Sequence, residues 1–480
     1  MSRRRLAPTA LLAALIAALV AGCGGSSTVA TGGAGVVPAG TAAFVAINTD
    51  TESGQWQAAE ALLGKFPDRD RLLAMFEREL SKENLDYERD VKPAVGPEVD
   101  VAVLDADSAS PHVVVLTQPK DEAKLDALVA KSDEPLVKEE IGGWTVLAEK
   151  QSALDQLKSE AAGGTLEGSG RFQEATSSLD EGALVRFYVD GTQLADAQRN
   201  AGPAAGPSFL FGDATRADWI SGTLEANGDG VVVRGSAKGA DLSPTTYKAD
   251  LVSDVPASAV AYVSFDGLDD MLRKLRNTAG NSVPGLDQQI AQFEAAASLS
   301  LDEDVFPLFA REGALFVTPA RPIPAFTLVV EVDDEQAAMN TLDRLVGFVG
   351  RPEPISVAGV DAHELPIQEG FRLIYGTFDG RLVVTTAEEG ISGLRSDGPK
   401  LADDATFRDA VAASGMPDET GGWLYVDGQG LAQMLYGLVG ASGVDVPDEV
   451  RRNVEPLKSL ITYAAQDGDV STFTVLLRIQ

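Results

Sequence analysis

Two histidines, one cysteine and 72 carboxylates are what this 480-residue chain offers for chemistry. His112 and His363 belong to no His-Glu-x-x-His helix, so both are expected to be structural or surface residues. The chain has no Gly-x-Ser-x-Gly elbow and no phosphate loop closing on Gly-Lys-Ser/Thr. The acids are what is left. Asp333-Asp334-Glu335 and Asp302-Glu303-Asp304 carry hard oxygens of the kind that bind calcium. The first group, however, follows the apolar run Leu328 to Val332 and precedes a helical pattern through Leu342 and Leu345, where carboxylates cap open amides. Lys120-Asp121-Glu122 occupies the same place earlier in the chain. Caps are therefore expected, with no metal and no cofactor. Asp190 and Asp427 each end an apolar run and are expected to form turns; as catalytic acids they would serve a carboxylate-dependent hydrolase of the cell envelope. Arg273, Lys274 and Arg276 form a basic stripe, expected as a solvated helix face opposite Leu272 and Leu275.

The single cysteine has a specific setting. Arg3-Arg4-Arg5, the apolar stretch Leu11 to Leu19 and Val20-Ala21-Gly22-Cys23 read as a lipoprotein signal peptide over 1–22, cleaved before a lipidated Cys23. Two or more acyl chains such as palmitate give stable anchoring where one chain gives only marginal binding. Residues 23–35 carry that cysteine and a Gly/Ser/Thr tether. The expected location is the extracytoplasmic face of a bacterial cell membrane. With Cys23 taken by lipid, no disulfide can form. A net charge of −33 opposes nucleic acid as a partner, because phosphate binding rests on Lys and Arg.

The elements that position these groups occur twice. Val37-Pro38-Ala39 running into Ala43 to Ile47 repeats as Val255-Pro256-Ala257 running into Ala259 to Phe265. Asp90-Val91-Lys92-Pro93 repeats as Asp304-Val305-Phe306-Pro307, and Tyr188-Val189-Asp190-Gly191 as Tyr425-Val426-Asp427-Gly428. This is a domain duplication: a first repeat at 36–239, a linker at 240–254 and a second repeat at 255–480. Val99, Val101 and Val103 alternate with Asp100 and Ala102, and with Val113 to Leu116 they predict adjacent antiparallel strands. Helices are predicted through Leu72, Leu73, Phe76 and Leu80, through Leu125, Leu128 and Val129, at Leu154 and Leu157, and at Phe172. Ile220 to Glu225, Asn227 to Gly230 and Val231 to Gly235 read as a hairpin. The fold class is α+β: two homologous lobes, each a mainly antiparallel sheet with helices packed on one face.

The copies also differ. The second carries an insertion around Pro366 to Arg381, including Phe371-Arg372-Leu373-Ile374-Tyr375, which predicts an added hairpin strand; by alignment of the copies, His363 matches Trp144. The first has a Gly/Pro-rich loop ending in Phe209-Leu210-Phe211, three large apolar side chains that fold back or mark a partner contact. The Val-Pro-Ala strand entry after an anchor, with its helices and Tyr-Val-Asp strand end, resembles an uncharacterised bacterial envelope family, domain of unknown function 3352. The resemblance implies no established activity and no catalytic residues. The expected function is a non-catalytic binding or scaffold lipoprotein whose partner is an envelope protein or a lipid. The alternatives are the carboxylate hydrolase and a lipid carrier or chaperone-like protein.

Overall fold

Each repeat opens on a short turn that delivers an apolar strand. Gly32–Gly35 and Leu251–Ser253 are 3-10 turns ahead of the Val-Pro pairs, and the chain then extends as Ala43–Asn48 and Ala261–Phe265. The computed structural model describes residues 32–480 apart from 83, 106–110, 133–134, 194–216, 240–244, 284, 369–370 and 442. Cys23 and Phe209-Leu210-Phe211 therefore lie outside the described residues. The chain forms two compact units: Met1–Ser243 with Asp467–Thr474 and Ile479–Gln480, and Pro244–Gln466 with Val475–Arg478. Asp467–Thr474 thus departs from the repeat boundary read from the sequence.

In the first unit the strands are β1 (Ala43–Asn48), β2 (Glu98–Val103), β3 (Val113–Thr117), β4 (Val137–Ile141), β5 (Trp144–Ala148), β6 (Val185–Asp190), β7 (Ala217–Ala226) and β8 (Gly230–Gly239). Their order is β4-β5-β3-β2-β1-β6-β7-β8, antiparallel throughout. The helices that cover this sheet are α1 (Gly54–Leu63), α2 (Arg69–Lys82), α3 (Glu122–Val129), α4 (Gln151–Ala161) and α5 (Gly170–Thr176). They lie on both faces, which corrects the expectation of one. Leu154, Leu157 and Phe172 pack on Phe44, Ala102, Val114 and Tyr188, while Leu80, Leu125 and Leu128 pack on Ile47, Val99, Val101 and Val115. The physical reason is legible afterwards: Val113 to Leu116 is apolar at every position, and such a strand needs cover on both sides. Of the apolar residues that predict α2, Leu80 makes the buried contact while Leu72 is exposed.

The second unit repeats the plan with β9 (Ala261–Phe265), β10 (Gly313–Thr318), β11 (Ala325–Glu331), β12 (Glu353–Val357), β13 (Val360–Gln368), β14 (Phe371–Phe378), β15 (Arg381–Thr385), β16 (Trp423–Asp427) and β17 (Leu457–Asp467). The order is β12-β13-β14-β15-β11-β10-β9-β16-β17. Its helices are α6 (Leu268–Ser282), α7 (Leu286–Ala297), α8 (Glu335–Gly347), α9 (Glu388–Arg395), α10 (Ala405–Ser414), α11 (Gly428–Ala441) and α12 (Asp448–Val454). Tyr262, Trp423, Tyr425 and Phe407 stack on one face, and α8 covers Val330, Leu382 and Tyr375 on the other. On that second face Leu315 and Phe326 are 42% and 48% exposed.

Between α8 and α9 the second unit has four strands, β12 to β15, where the first has only β4 and β5 between α3 and α4; the added pair is β12 and β13 at the sheet edge, not the single strand read at Phe371 to Tyr375. Because β15 holds the place next to β11 that β5 holds next to β3, Thr385 pairs with Thr327 as Ala148 pairs with Val114. Counting back along the strands sets Trp144 opposite Ile141 and Arg381 opposite Phe378, each across a two-residue turn. Trp144 therefore corresponds to Arg381, and the alignment with His363 is corrected; His363 lies in β13, farther out in the sheet. Among the described residues no helix is long and apolar enough to cross a membrane.

Candidate ligand pocket

The acids that suggested calcium do cap. Asp334 Oδ1 accepts the Ala337 N–H at 3.0 Å and Asp121 Oδ1 accepts the Lys124 N–H at 3.2 Å, at the N-termini of α8 and α3. Asp302, Glu303 and Asp304 lie in a π-helical turn, Leu301–Val305, whose counterpart is Tyr87–Val91. The two turns share one device: Asp90 Oδ2 accepts the Asp86 N–H at 2.9 Å, and Asp304 Oδ2 accepts the Ser300 N–H at 2.7 Å. A cation completes each: Lys131, in the turn just past α3, at 2.6 Å from Asp90, and Arg344 of α8 at 3.1 Å from Asp304. The Arg89 hydrogen bond, with Lys131 and the backbone, holds the Asp90 carboxyl well below the usual range. Among the described residues no group of three His, Cys, Asp or Glu could hold a metal.

Asp190 and Asp427 likewise shape turns. Asp190 Oδ1 accepts from the Thr192 N–H at 3.0 Å and Asp427 Oδ1 from the Gln429 N–H at 3.0 Å; Arg171 closes on the other oxygen of Asp190 at 2.6 Å. His363 Nδ1 lies 2.8 Å from Asp343 Oδ1, which also accepts the Tyr375 hydroxyl at 2.8 Å. His112 lies against Gln156 and Ser152 of α4. The basic stripe is a second correction. Arg273 donates to the Asp302 carbonyl at 2.7 Å and Arg276 pairs with the Asp302 carboxylate, so these arginines turn inward. Met271 and Leu275 of the same helix face outward instead. The π turn offers Asp302 as a partner, and a paired guanidinium can be half-buried where a free one cannot.

Sequence reasoning missed a buried acid cluster in the first unit. Asp100, which alternates with valines and so reads as solvent-facing, is fully buried with Glu98 and Arg186. The strand register explains the meeting: Ala46 of β1 stands between Asp100 and Arg186. Arg186 pairs with Glu98, while Glu98 Oε1 and both Asp100 oxygens are buried without a well-formed hydrogen bond. Burial pushes the Glu98 carboxyl up to about 7, and burial with the neighbouring Glu98 charge pushes Asp100 well above its usual range. Gly33 is required here, since a β-carbon on it would collide with the Asp100 carboxylate. In the second unit the buried Glu312 does the corresponding work with its hydrogen bonds made, accepting the N–H groups of Asp250 and Leu251 at 3.0 and 2.9 Å. These buried acids hold the turn that starts each unit.

The feature with the form of a binding site is elsewhere, in the second unit. A pocket of about 560 Å³ is walled on one side by Arg321, Pro322 and Ile323, from the loop between β10 and β11. The other side is Glu364, Pro366, Ile367, Phe371 and Arg372, with Thr386 and Ala387 at the end of β15. The pairing Pro366 with Arg372, and the bulge between Pro366 and Gln368, place these side chains together. His363 and Leu365 alternate to the opposite face, where Leu365 packs with Tyr375 and Val346. Arg372 is engaged by Glu364 at 3.1 Å and Glu388 at 3.3 Å. Arg321 is exposed and has no ion-pair partner among the described residues. The lining has no Ser, Cys, Lys, His or Tyr among the described residues, so what the arrangement offers is apolar walls and guanidinium charge. The insertion was legible in the sequence. Arg321 was not, although a lone arginine in Ala-Arg-Pro-Ile-Pro is the signal that could have found it.

No curated protein matches the chain. Among solved structures, two crystal forms of TP0453 are similar, at 11% and 10% identity over 44% of this chain and 80% and 81% of that one; the TM-score of 0.23 carries no argument. A family model matches residues 6–141 and 140–479, its second segment taking in part of the first repeat and all of the second. The chain belongs to the family described as protein of unknown function (DUF3352).

Proposed function

We propose that this chain is a lipid-anchored extracytoplasmic binding protein, held at the membrane through Cys23 and taking its ligand in the pocket of the second unit. The observation that carries the binding reading is that pocket. Its volume of about 560 Å³ falls within the roughly 300–1,000 Å³ of small-molecule sites, and strand β13, on its wall, belongs to the strand pair that the first repeat lacks. The exposed Leu315 and Phe326 favour a lipid or an apolar partner over a polar one. The hydrolase reading is weakened because Asp190 and Asp427 each spend an oxygen on a turn.

The anchor rests on Arg3-Arg4-Arg5 and Val20-Ala21-Gly22-Cys23. Radiolabelled palmitate is expected to enter the wild type and not Cys23→Ser; equal labelling of both removes the anchor. The pocket is tested with the uncharged dye N-phenylnaphthylamine on the Cys23→Ser chain. Saturable fluorescence enhancement is expected, and Ile367→Asp, at a half-exposed wall position, is expected to abolish it. Undiminished binding by that variant would place the dye elsewhere and end the pocket reading.

A further inference from the structure

The strongest unexplained group in the second unit is the guanidinium of Arg321. It stands on the pocket wall beside Pro322 and Ile323, faces solvent, and pairs with no carboxylate among the described residues. The other guanidinium on the lining, Arg372, is already held by Glu364 and Glu388. The lining itself therefore carries two cations and one carboxylate, with the surplus charge on Arg321. The same lining holds Pro366, Ile367 and Phe371, apolar surface that a small inorganic anion would leave unused.

Resting on the pocket reading above, we infer that the ligand is an amphiphilic anion: a carboxylate or phosphate headgroup on an alkyl body, the headgroup at Arg321 and the body against Ile367 and Phe371. A guanidinium presents a rigid fork of donors that matches either headgroup in two parallel hydrogen bonds. Arg372, fixed by its two carboxylates, shapes the wall and leaves the headgroup to Arg321. What sets Arg321 apart from other unpaired surface cations is its place on a pocket wall that also carries Ile323, Ile367 and Phe371.

The test titrates the Cys23→Ser full chain with laurate, dodecyl phosphate, dodecanol and inorganic phosphate by calorimetry. Laurate and dodecyl phosphate are expected to bind saturably and dodecanol about tenfold more weakly, the loss of one charge-assisted contact. Inorganic phosphate alone is expected to give no measurable heat. Arg321→Glu is expected to lose the two anions by about tenfold or more while keeping dodecanol and the wild-type melting temperature. Equal binding of dodecanol and laurate, with Arg321→Glu unaffected, would overturn the charge assignment and leave the pocket standing. Phosphate binding as tight as laurate would overturn the amphiphile. Failure of all alkyl probes, with no effect of Ile367→Asp on any of them, would overturn the pocket as well.

Discussion

Asp100 shows how one side chain can set the pH response of a domain. Two carboxylates face one arginine in the first unit, so with Glu98 paired to Arg186 the burial of Asp100 is relieved by keeping a proton. The folded state then binds more protons than the unfolded chain between the ordinary carboxylate range and about 7, the value to which Glu98 is raised. A group raised in this way stabilises fully below its unfolded pKa, and its contribution is lost as pH rises through the folded one. The first unit is expected to lose on the order of 2 kcal/mol between pH 5 and pH 8, read by urea unfolding at both pH values. Asp100→Asn is expected to flatten that slope, because an amide keeps the neutral form. A wild type more stable at pH 8 than at pH 5 would contradict the assignment.

The element that the duplication preserves most closely is the π turn with its carboxylate. Asp90 and Asp304 each accept the N–H of the residue four earlier and each pair with a cation, Lys131 just past α3 and Arg344 within α8. The turn exposes amides that a regular helix would leave to its neighbours, so the carboxylate does the satisfying. Asp304→Ala is expected to cost about 1–2 kcal/mol in chemical unfolding, with Asp90→Ala similar. Asp334→Ala is expected to cost about 1 kcal/mol through its helix cap. Calcium is expected to leave the melting temperature unchanged, since a ligand bound by the native state alone must raise it. A calcium-dependent rise that Asp334→Ala abolishes would show the acid to be a ligand.

For the whole molecule, the informative segment is Asp467–Thr474. It counts with the first unit although it lies more than two hundred residues beyond that unit's last strand. Lys238 of β8 pairs with Asp469 at 2.8 Å, and the Phe473 ring fills the space beside Gly235 that a β-carbon would need. A fragment of residues 32–240 is therefore expected to be less stable than the first unit in the full chain. Adding a peptide of residues 467–480 in trans is expected to raise its melting temperature. If the fragment melts as the full chain does, and the peptide changes nothing, the terminal segment is dispensable to that unit.

Much of this was legible in the sequence because local chemistry repeats twice. The Val-Pro strand entries, the Asp-capped helices, the Tyr-Val-Asp strand ends and the hairpin turn at Asp379-Gly380 depend on residues a few positions apart, and such patterns survive translation from sequence to structure. Register and cover depend on partners far along the chain, and the tertiary structure alone decided them. Sheet pairing brought Asp100 beside Arg186 and turned an apparent surface acid into a buried one. The π turn drew Arg273 and Arg276 inward, and strand order moved the counterpart of Trp144 from His363 to Arg381. The pocket has the same origin: Arg321 and Phe371 are fifty residues apart, and a strand's alternation says which face a side chain takes but not what stands opposite it.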